Sequence, residues 1–265
     1  RRGDGSSLYA TRDVAYHKWK WSQSTRLINV LGEDHKLQAK QVGLTLEELN
    51  QQRPEVLFYS FIKLPEGKMS TRQGNVVFMD DLLEEAHAQA ADVVLQLRPE
   101  YDEHKITKIA EAVATAAVRF NIVKVSPEKG FTFRWEEALA FEAGSAPFIM
   151  YAHTRACSIA RKADGLAESS NQPPTFSEMP EGLVELLRTI CKHNDVLERS
   201  VREQKPHLFA LHMLDLATAY NGFYRDCAVV QNGRVNGFAF SISETARALL
   251  RSGLEGLGIN AIEEM

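Results

Sequence analysis

Two hydrophobic rhythms share this chain, and the change from one to the other near residue 100 limits what it can fold into. Before that point short apolar runs alternate with helical stretches. Residues 8–10 read as a strand end, followed by a helix over 12–21. Residues 26–31 read as a buried strand, followed by a helix over 35–42 that stops at Gly43, and 56–63 form a third strand rich in β-branched and aromatic residues. Strand–helix–strand spacing of this length favours a parallel sheet with crossover helices. Three strands are too few for a doubly wound domain, so further strands are expected before Arg1.

Beyond residue 80 the periodicity is helical nearly throughout. Asp81 and Glu84 form a capping-box pattern for a helix that Pro99 ends. Ile106, Ile109, Ala110, Val113, Ala117 and Phe120 follow the i, i+3, i+4 spacing of an amphipathic helix. Further helices are expected over 147–162, 183–202, 208–229 and 241–257, the last opened by Ser241 with Glu244 and closed by Gly258. A polar linker covers 164–180. Helices with short connections imply a bundle. The expected class is therefore α/β plus all-α: part of a Rossmann-like parallel-sheet domain over 1–62, a connecting loop and helical region over 63–103, and a helical bundle over 104–265.

Charge is balanced, with 31 basic and 35 acidic residues, so any nucleic-acid contact must come from a local patch rather than bulk charge. No apolar run reaches membrane-spanning length, and no signal peptide is evident. Cys157, Cys191 and Cys227 form no Cys-x-x-Cys pair; they are expected to be buried free thiols in a reducing cytoplasm, with no metal site. His17, His87, His104, His193, His207 and His212 show no catalytic partner pattern and are assigned as surface or internally satisfied helix residues. Trp19, Trp21 and Trp135 are assigned to packing.

Three stretches carry chemistry. In Gly67-Lys68-Met69-Ser70-Thr71-Arg72-Gln73-Gly74, two glycines bracket two cations and two hydroxyls, a loop able to bring cations and backbone N–H groups onto a triphosphate. On composition alone an exposed polar hairpin accounts for it as well. Tyr9 and Asp13 lie four apart beside an expected strand end, offering a guanidinium an aromatic face and a carboxylate. Asp13 could equally be a first-turn residue stabilised by the helix dipole. Gly32-Glu33-Asp34-His35 follows the buried strand; the glycine permits close approach of a ribose or adenine, and the acidic side chains can accept from ribose hydroxyls. A simple strand-to-helix turn is the alternative.

The order Lys68-Met69-Ser70 resembles the KMSKS signature of class I aminoacyl-tRNA synthetases, and Lys-Met-Ser-Thr-Arg resembles its arginyl variant. That resemblance implies that Lys68, Ser70 and Arg72 stabilise the β- and γ-phosphates of ATP, with Met69 beside them and Mg²⁺ assisting. Thr71 stands where the general signature has its second lysine. Leu-Tyr-Ala-Thr-Arg-Asp-Val-Ala, over 8–15, is similar to the segment of arginyl-tRNA synthetases whose tyrosine and aspartate read the substrate arginine, which implies that role for Tyr9 and Asp13. By the same resemblance Gly32 and Glu33 contact ATP, and His35, with Gln38, is a candidate arginine contact.

Residues 140–155 resemble the opening of the anticodon-binding domain of arginyl-tRNA synthetases, with Met150 in place of the usual glutamine. The resemblance implies tRNA contacts for Phe148, Tyr151, Arg155, Tyr224 and Met265; aromatics stack on splayed bases while cations hold phosphates. Arg161, Lys162, Arg199 and Arg202 are candidate backbone contacts, and a solvated basic face explains them equally. The chain is thus expected to belong to a cytoplasmic polypeptide with no membrane partner, acting as a monomer on arginine, ATP and tRNA(Arg). Alternatives are a cysteinyl or methionyl class I enzyme, or a non-catalytic tRNA-binding helical module.

Overall fold

The computed structural model describes residues 3–5, 9–63, 78–140, 144–170 and 172–265. The chain forms two compact units, Arg1–Lys63 with Pro127–Thr132, and Leu64–Ser126 with Phe133–Met265.

In the first unit α1 (Tyr9–Gln23) precedes β1 (Ile28–Gly32), and α2 (Lys36–Glu48) leads to β2 (Glu55–Tyr59). β1 and β2 pair in parallel from Ile28↔Glu55 to Gly32↔Tyr59, the arrangement a helical crossover imposes. Val14 of α1 packs with Val42 and Leu46 of α2 in a buried cluster. β3 (Ile62–Lys63) pairs in parallel with β4 (Phe131–Thr132), which returns from far along the chain.

Several expectations are corrected here. Tyr9 and Ala10 open α1 rather than end a strand; three apolar residues make no ladder, whereas the extra helical turn sets Tyr9 above Asp13. Gly43 does not stop α2. It is buried where a Cβ would lie 3.3 Å from Arg53 Cδ, so the glycine serves close packing. The run expected as one strand over 56–63 breaks at Ser60, whose N–H donates to Pro127 O (2.8 Å) and whose Oγ turns to Glu33.

In the second unit α3 (Met79–Leu97) and α4 (Glu103–Val123) pack along one another, as do α7 (Glu181–Arg202) and α8 (Pro206–Asp226). Between them come α5 (Trp135–Ala138), α6 (Ala146–Ala163) and β5 (Ala167–Ser170); β6 (Val230–Gln231), β7 (Arg234–Asn236) and α9 (Gly237–Gly256) follow α8. The strands form a sheet ordered β5-β7-β6, with β5 parallel and β6 antiparallel to β7. α6 packs on α4, α8 and α9. Ile149, Met150, Met213, Leu216, Tyr220, Phe223, Leu250 and Leu254 are fully buried in this core. α7 and α8 approach closely at Gly182, where an added Cβ would sit 2.5 Å from the backbone of Gly222.

Helix starts depart from the sequence reading for local reasons. α3 begins at Met79 because the Asp81 carboxylate accepts from Phe78 N (3.4 Å); Glu84 takes no part in the cap. α9 begins at Gly237, capped by Asn236 Oδ1 accepting from Ala239 N (3.0 Å), while Ser241 Oγ donates back to Gly237 O inside the helix. α8 ends at Asp226, and β5 occupies part of the expected linker. Gly258, at φ 72°, does end α9: Ile259 N donates to Leu254 O and Gly258 N to Glu255 O, which satisfies the final carbonyls. Of the cysteines only Cys157 is buried. Trp19 is exposed, stacked on Tyr16 at 5.6 Å, because α1 buries only Val14 and His17. Among the described residues no helix is long and apolar enough to cross a membrane.

α7 and α8 also bury a histidine pair, His212 Nε2 3.2 Å from His193 Nδ1. Burial, then the neighbouring His193 and Lys192, pushes His212 down to about 4 from its ordinary 6.5. A depressed histidine stays neutral in the folded state while the unfolded chain takes up the proton. Stability is therefore full above pH 6.5 and falls as the pH drops toward 4. His212 alone should cost about 2 kcal/mol by pH 5 in thermal melts, and His212→Gln should remove that share, leaving the losses from His193 and His153, which burial also pushes down. A melting temperature equally pH-dependent in the variant would refute the assignment.

Candidate functional site

The first unit gathers polar side chains around α1 and the carboxyl ends of β1 and β2, where open parallel sheets bind ligands. Asp13 lies one helical turn after Tyr9, which is 68% exposed. Both Asp13 oxygens are engaged: Oδ1 lies 3.2 Å from His17 Nδ1, and Oδ2 accepts from Gln38 Nε2 at 3.2 Å. His17 Nδ1 also faces Asp13 O at 2.8 Å, so two acceptors assign the proton to that nitrogen. Its Nε2 then accepts from Asn29 Nδ2 (2.8 Å), and Asn29 Oδ1 accepts from Lys20 Nζ (3.4 Å). Side chains from α1, β1 and α2 thus fix the carboxylate in one orientation.

Gly32 closes β1 in an extended conformation; a Cβ there would fall 2.5 Å from Asp34 Oδ1. Glu33 Oε1 accepts from Ser60 Oγ at 2.9 Å, which stitches together the residues that follow β1 and β2. His35 Nδ1 lies 3.1 Å from Asp34 Oδ1 within its own turn, so His35 pairs locally while Gln38 reaches Asp13. Lys68, Met69, Ser70 and Arg72 lie outside the described residues. Sequence reasoning missed the roles of His17 and Asn29. The Asp13-x-x-x-His17 spacing, one helical turn, was the available signal.

The second unit holds a polar cavity of 450 Å³ between α3–α4, α6, α8 and the C-terminal residues. Ser145 Oγ caps α6 by accepting from Phe148 N (3.3 Å), and Pro147 sits in the first turn, where its missing N–H costs nothing. Tyr151 and Arg155, one turn apart on α6, reach the cavity together. The Arg155 guanidinium lies 4.4 Å from the centre of the Tyr151 ring and 5.0 Å from that of Tyr224. It is oriented by Nη1 donating to Asn221 Oδ1 at 2.7 Å.

Met265 is 8% exposed and its carbonyl oxygen accepts from Arg98 Nε at 3.3 Å. With Val94, Leu97, Arg98 and Tyr151 it also lines an adjoining apolar recess of 250 Å³. Tyr151, Arg155, Tyr224 and Met265 are therefore brought together. Phe148 is not: it lines a separate cavity with Gly182 and His212. Met150 is fully buried, so the position points into the core. Lys162, Arg199 and Arg202 are exposed away from the cavity, the arginines paired to Glu203 and Glu198. Arg98, Tyr101 and Lys105 were missed as cavity residues; basic and aromatic residues interleaved from the end of α3 through the turn into α4 were the signal.

Residues 1–135 match the family model described as tRNA synthetases class I (R), catalytic domain. Residues 149–265 match the DALR anticodon binding domain. Arginine–tRNA ligases of Methanospirillum hungatei and Archaeoglobus fulgidus are 41% and 42% identical to this chain over its whole length, which covers 47% and 48% of theirs. The structure of Thermus thermophilus arginyl-tRNA synthetase superposes with a TM-score of 0.82 at 26% identity, covering 100% of this chain and 50% of that one. The arginyl-tRNA synthetase of Plasmodium falciparum, at 20% identity, shares the fold with a TM-score of 0.79, covering 100% of this chain and 46% of that one. The chain spans about half the length of the curated relatives it matches.

Proposed function

Since the chain belongs to the class I arginyl-tRNA synthetase family, we propose that the polypeptide it forms part of joins arginine to ATP and transfers the arginyl group to tRNA(Arg). The observation that carries this reading is the pairing, in one chain, of an oriented Asp13 carboxylate with a cavity of tyrosines and cations whose Tyr151, Arg155 and Tyr224 lie within the anticodon-domain match. The match over 1–135 favours a catalytic role over a purely RNA-binding module.

In this proposal Tyr9 stacks on the arginine guanidinium while Asp13 accepts its N–H groups, the planar geometry that tells arginine from lysine. Gln38 and His17 hold Asp13 in place. Gly32 and Glu33 receive the nucleoside part of ATP, with His35 at the edge of that turn. Lys68, Met69, Ser70 and Arg72 supply charge and hydroxyls to the leaving pyrophosphate, so catalysis is placement and charge stabilisation rather than proton transfer by a side chain. Mg²⁺ would travel with the triphosphate: among the described residues no cluster of three His, Cys, Asp or Glu side chains could hold a metal, and Mg²⁺ commonly keeps water and phosphate ligands.

Tyr151, Arg155, Tyr224 and Met265 receive bases of a single-stranded loop, with Phe148 on a neighbouring face. Residues 1–62 would serve activation, 63–103 the loop and connection, and 104–265 the tRNA. A monomer in the cytoplasm completes the proposal.

ATP–pyrophosphate exchange tests it. The full-length polypeptide should exchange only with arginine. Residues 1–265 alone should not, because they contain no His-x-Gly-His sequence, the other ATP-binding signature of the class. Exchange driven by cysteine or methionine would overturn the reading.

A further inference from the structure

The cations lining the cavity in the helical unit are engaged by the chain's own last residues. Glu264 spans two helices: its Oε2 lies 2.8 Å from Lys105 Nζ on α4, and its Oε1 3.8 Å from Arg161 Nη2 on α6. Arg161 also donates to Glu263 O at 3.3 Å, and Arg98 to Met265 O at 3.3 Å. Lys105 Nζ sits 4.0 Å from the centre of the Tyr101 ring, so that ring fixes one side of the ammonium and Glu264 the other. All of these groups line the same cavity as Arg155 and Tyr224.

A carboxylate whose two oxygens meet cations from two different helices occupies the place a phosphodiester's two free oxygens would take. The cations are preplaced for an anion rather than scattered over a face. The rest of the tail does not depend on Glu264: Ile262 O accepts from His153 Nδ1 (3.0 Å), and the Arg98 and Arg161 contacts to backbone carbonyls hold residues on either side of it. Glu264 itself is half exposed and can swing to solvent while Met265 stays seated.

We propose that Lys105 and Arg161 form a phosphate subsite for RNA, and that Glu264 fills it in the free protein and is displaced when an RNA phosphate arrives. This rests on the reading of the cavity as an RNA site and adds an internal competitor to it. The competitor lowers affinity for any isolated polyanion, because an exposed ion pair must be broken first. An RNA that also places bases on Tyr151 and Tyr224 recovers the difference. The device sharpens discrimination between cognate loop and bulk nucleic acid at the expense of raw affinity.

Binding of an arginine-accepting tRNA transcript to this chain, measured across a salt series, tests the proposal. Glu264→Gln should bind about three- to fivefold tighter, the scale of one exposed ion pair. Its slope of log affinity against log salt should be unchanged, because the number of RNA phosphates neutralised is the same. Lys105→Met should weaken binding and reduce the slope by about 0.7, one single-strand phosphate contact. In the double variant Lys105→Met/Glu264→Gln the gain from the glutamine should largely disappear. Glu255→Gln, which removes an equal charge from a site paired with Arg251 on α9, controls for net charge and should change affinity less than Glu264→Gln.

Glu264→Gln binding no tighter than wild type, while Arg155→Ala and Tyr224→Ala still weaken binding, overturns the exchange and leaves the cavity reading standing. A wild-type chain with no affinity, or one indifferent to all these substitutions, overturns both.

Discussion

Replacing Asp13 with asparagine in the full-length enzyme is expected to lower kcat/KM for arginine about a hundredfold or more, the cost of removing one charge from a bidentate, partly desolvated pair. The loss should fall mainly on KM, since the guanidinium is remote from the reacting carboxylate. The substitution should leave folding nearly untouched. An asparagine oxygen can still accept from Gln38 or His17, which in the native chain lie 3.2 Å from the two carboxylate oxygens. A drop of less than about threefold, with ATP saturation kept constant, would remove Asp13 from the arginine site.

The second large effect is expected at Arg155. Arg155→Ala should weaken tRNA binding about thirtyfold, comparable to losing a stacked base together with an interfacial arginine anchor. Its plane is held between Tyr151 and Tyr224 and tied to Asn221, so lysine should recover little: an ammonium restores charge without the flat, forked surface. Filter binding or fluorescence titration at fixed salt would read this. Recovery by Arg155→Lys to within about twofold of wild type would show that only charge matters there.

How far the sequence could be read depended on whether a feature is local. The helix periodicities of α4, α6 and α7 were legible because each buries one face against a neighbour, and burial of that kind imprints on spacing. Asp13 and Tyr9 were legible because they lie four apart on one helix. What failed was non-local. β3 exists because β4 returns from beyond residue 130 to pair with it, and nothing within 56–63 records that. Gly43 looked like a stop because its packing partner, Arg53, is ten residues on. Asn236 capped α9 where Ser241 and Glu244 offered an equally good pattern, since Glu244 is drawn instead to Arg247 at 2.6 Å. Arg98, Tyr101 and Lys105 escaped notice because only folding sets them beside residues more than 150 positions away.

That last pairing bears on how such proteins can be rearranged. Arg98, Tyr101 and Lys105 fall within the stretch matched by the catalytic-domain family, whereas Tyr151, Arg155, Tyr224, Glu264 and Met265 fall within the stretch matched by the anticodon-domain family. One cavity therefore draws its walls from two sequence modules. A chimera joined at the apparent seam, between residues 135 and 149, would combine half a pocket from each parent. Transplanting the second module alone would carry over the aromatic surface and Arg161 but not Arg98 and Lys105, which meet its tail from upstream. The heritable unit of this pocket begins upstream of the seam, at α3.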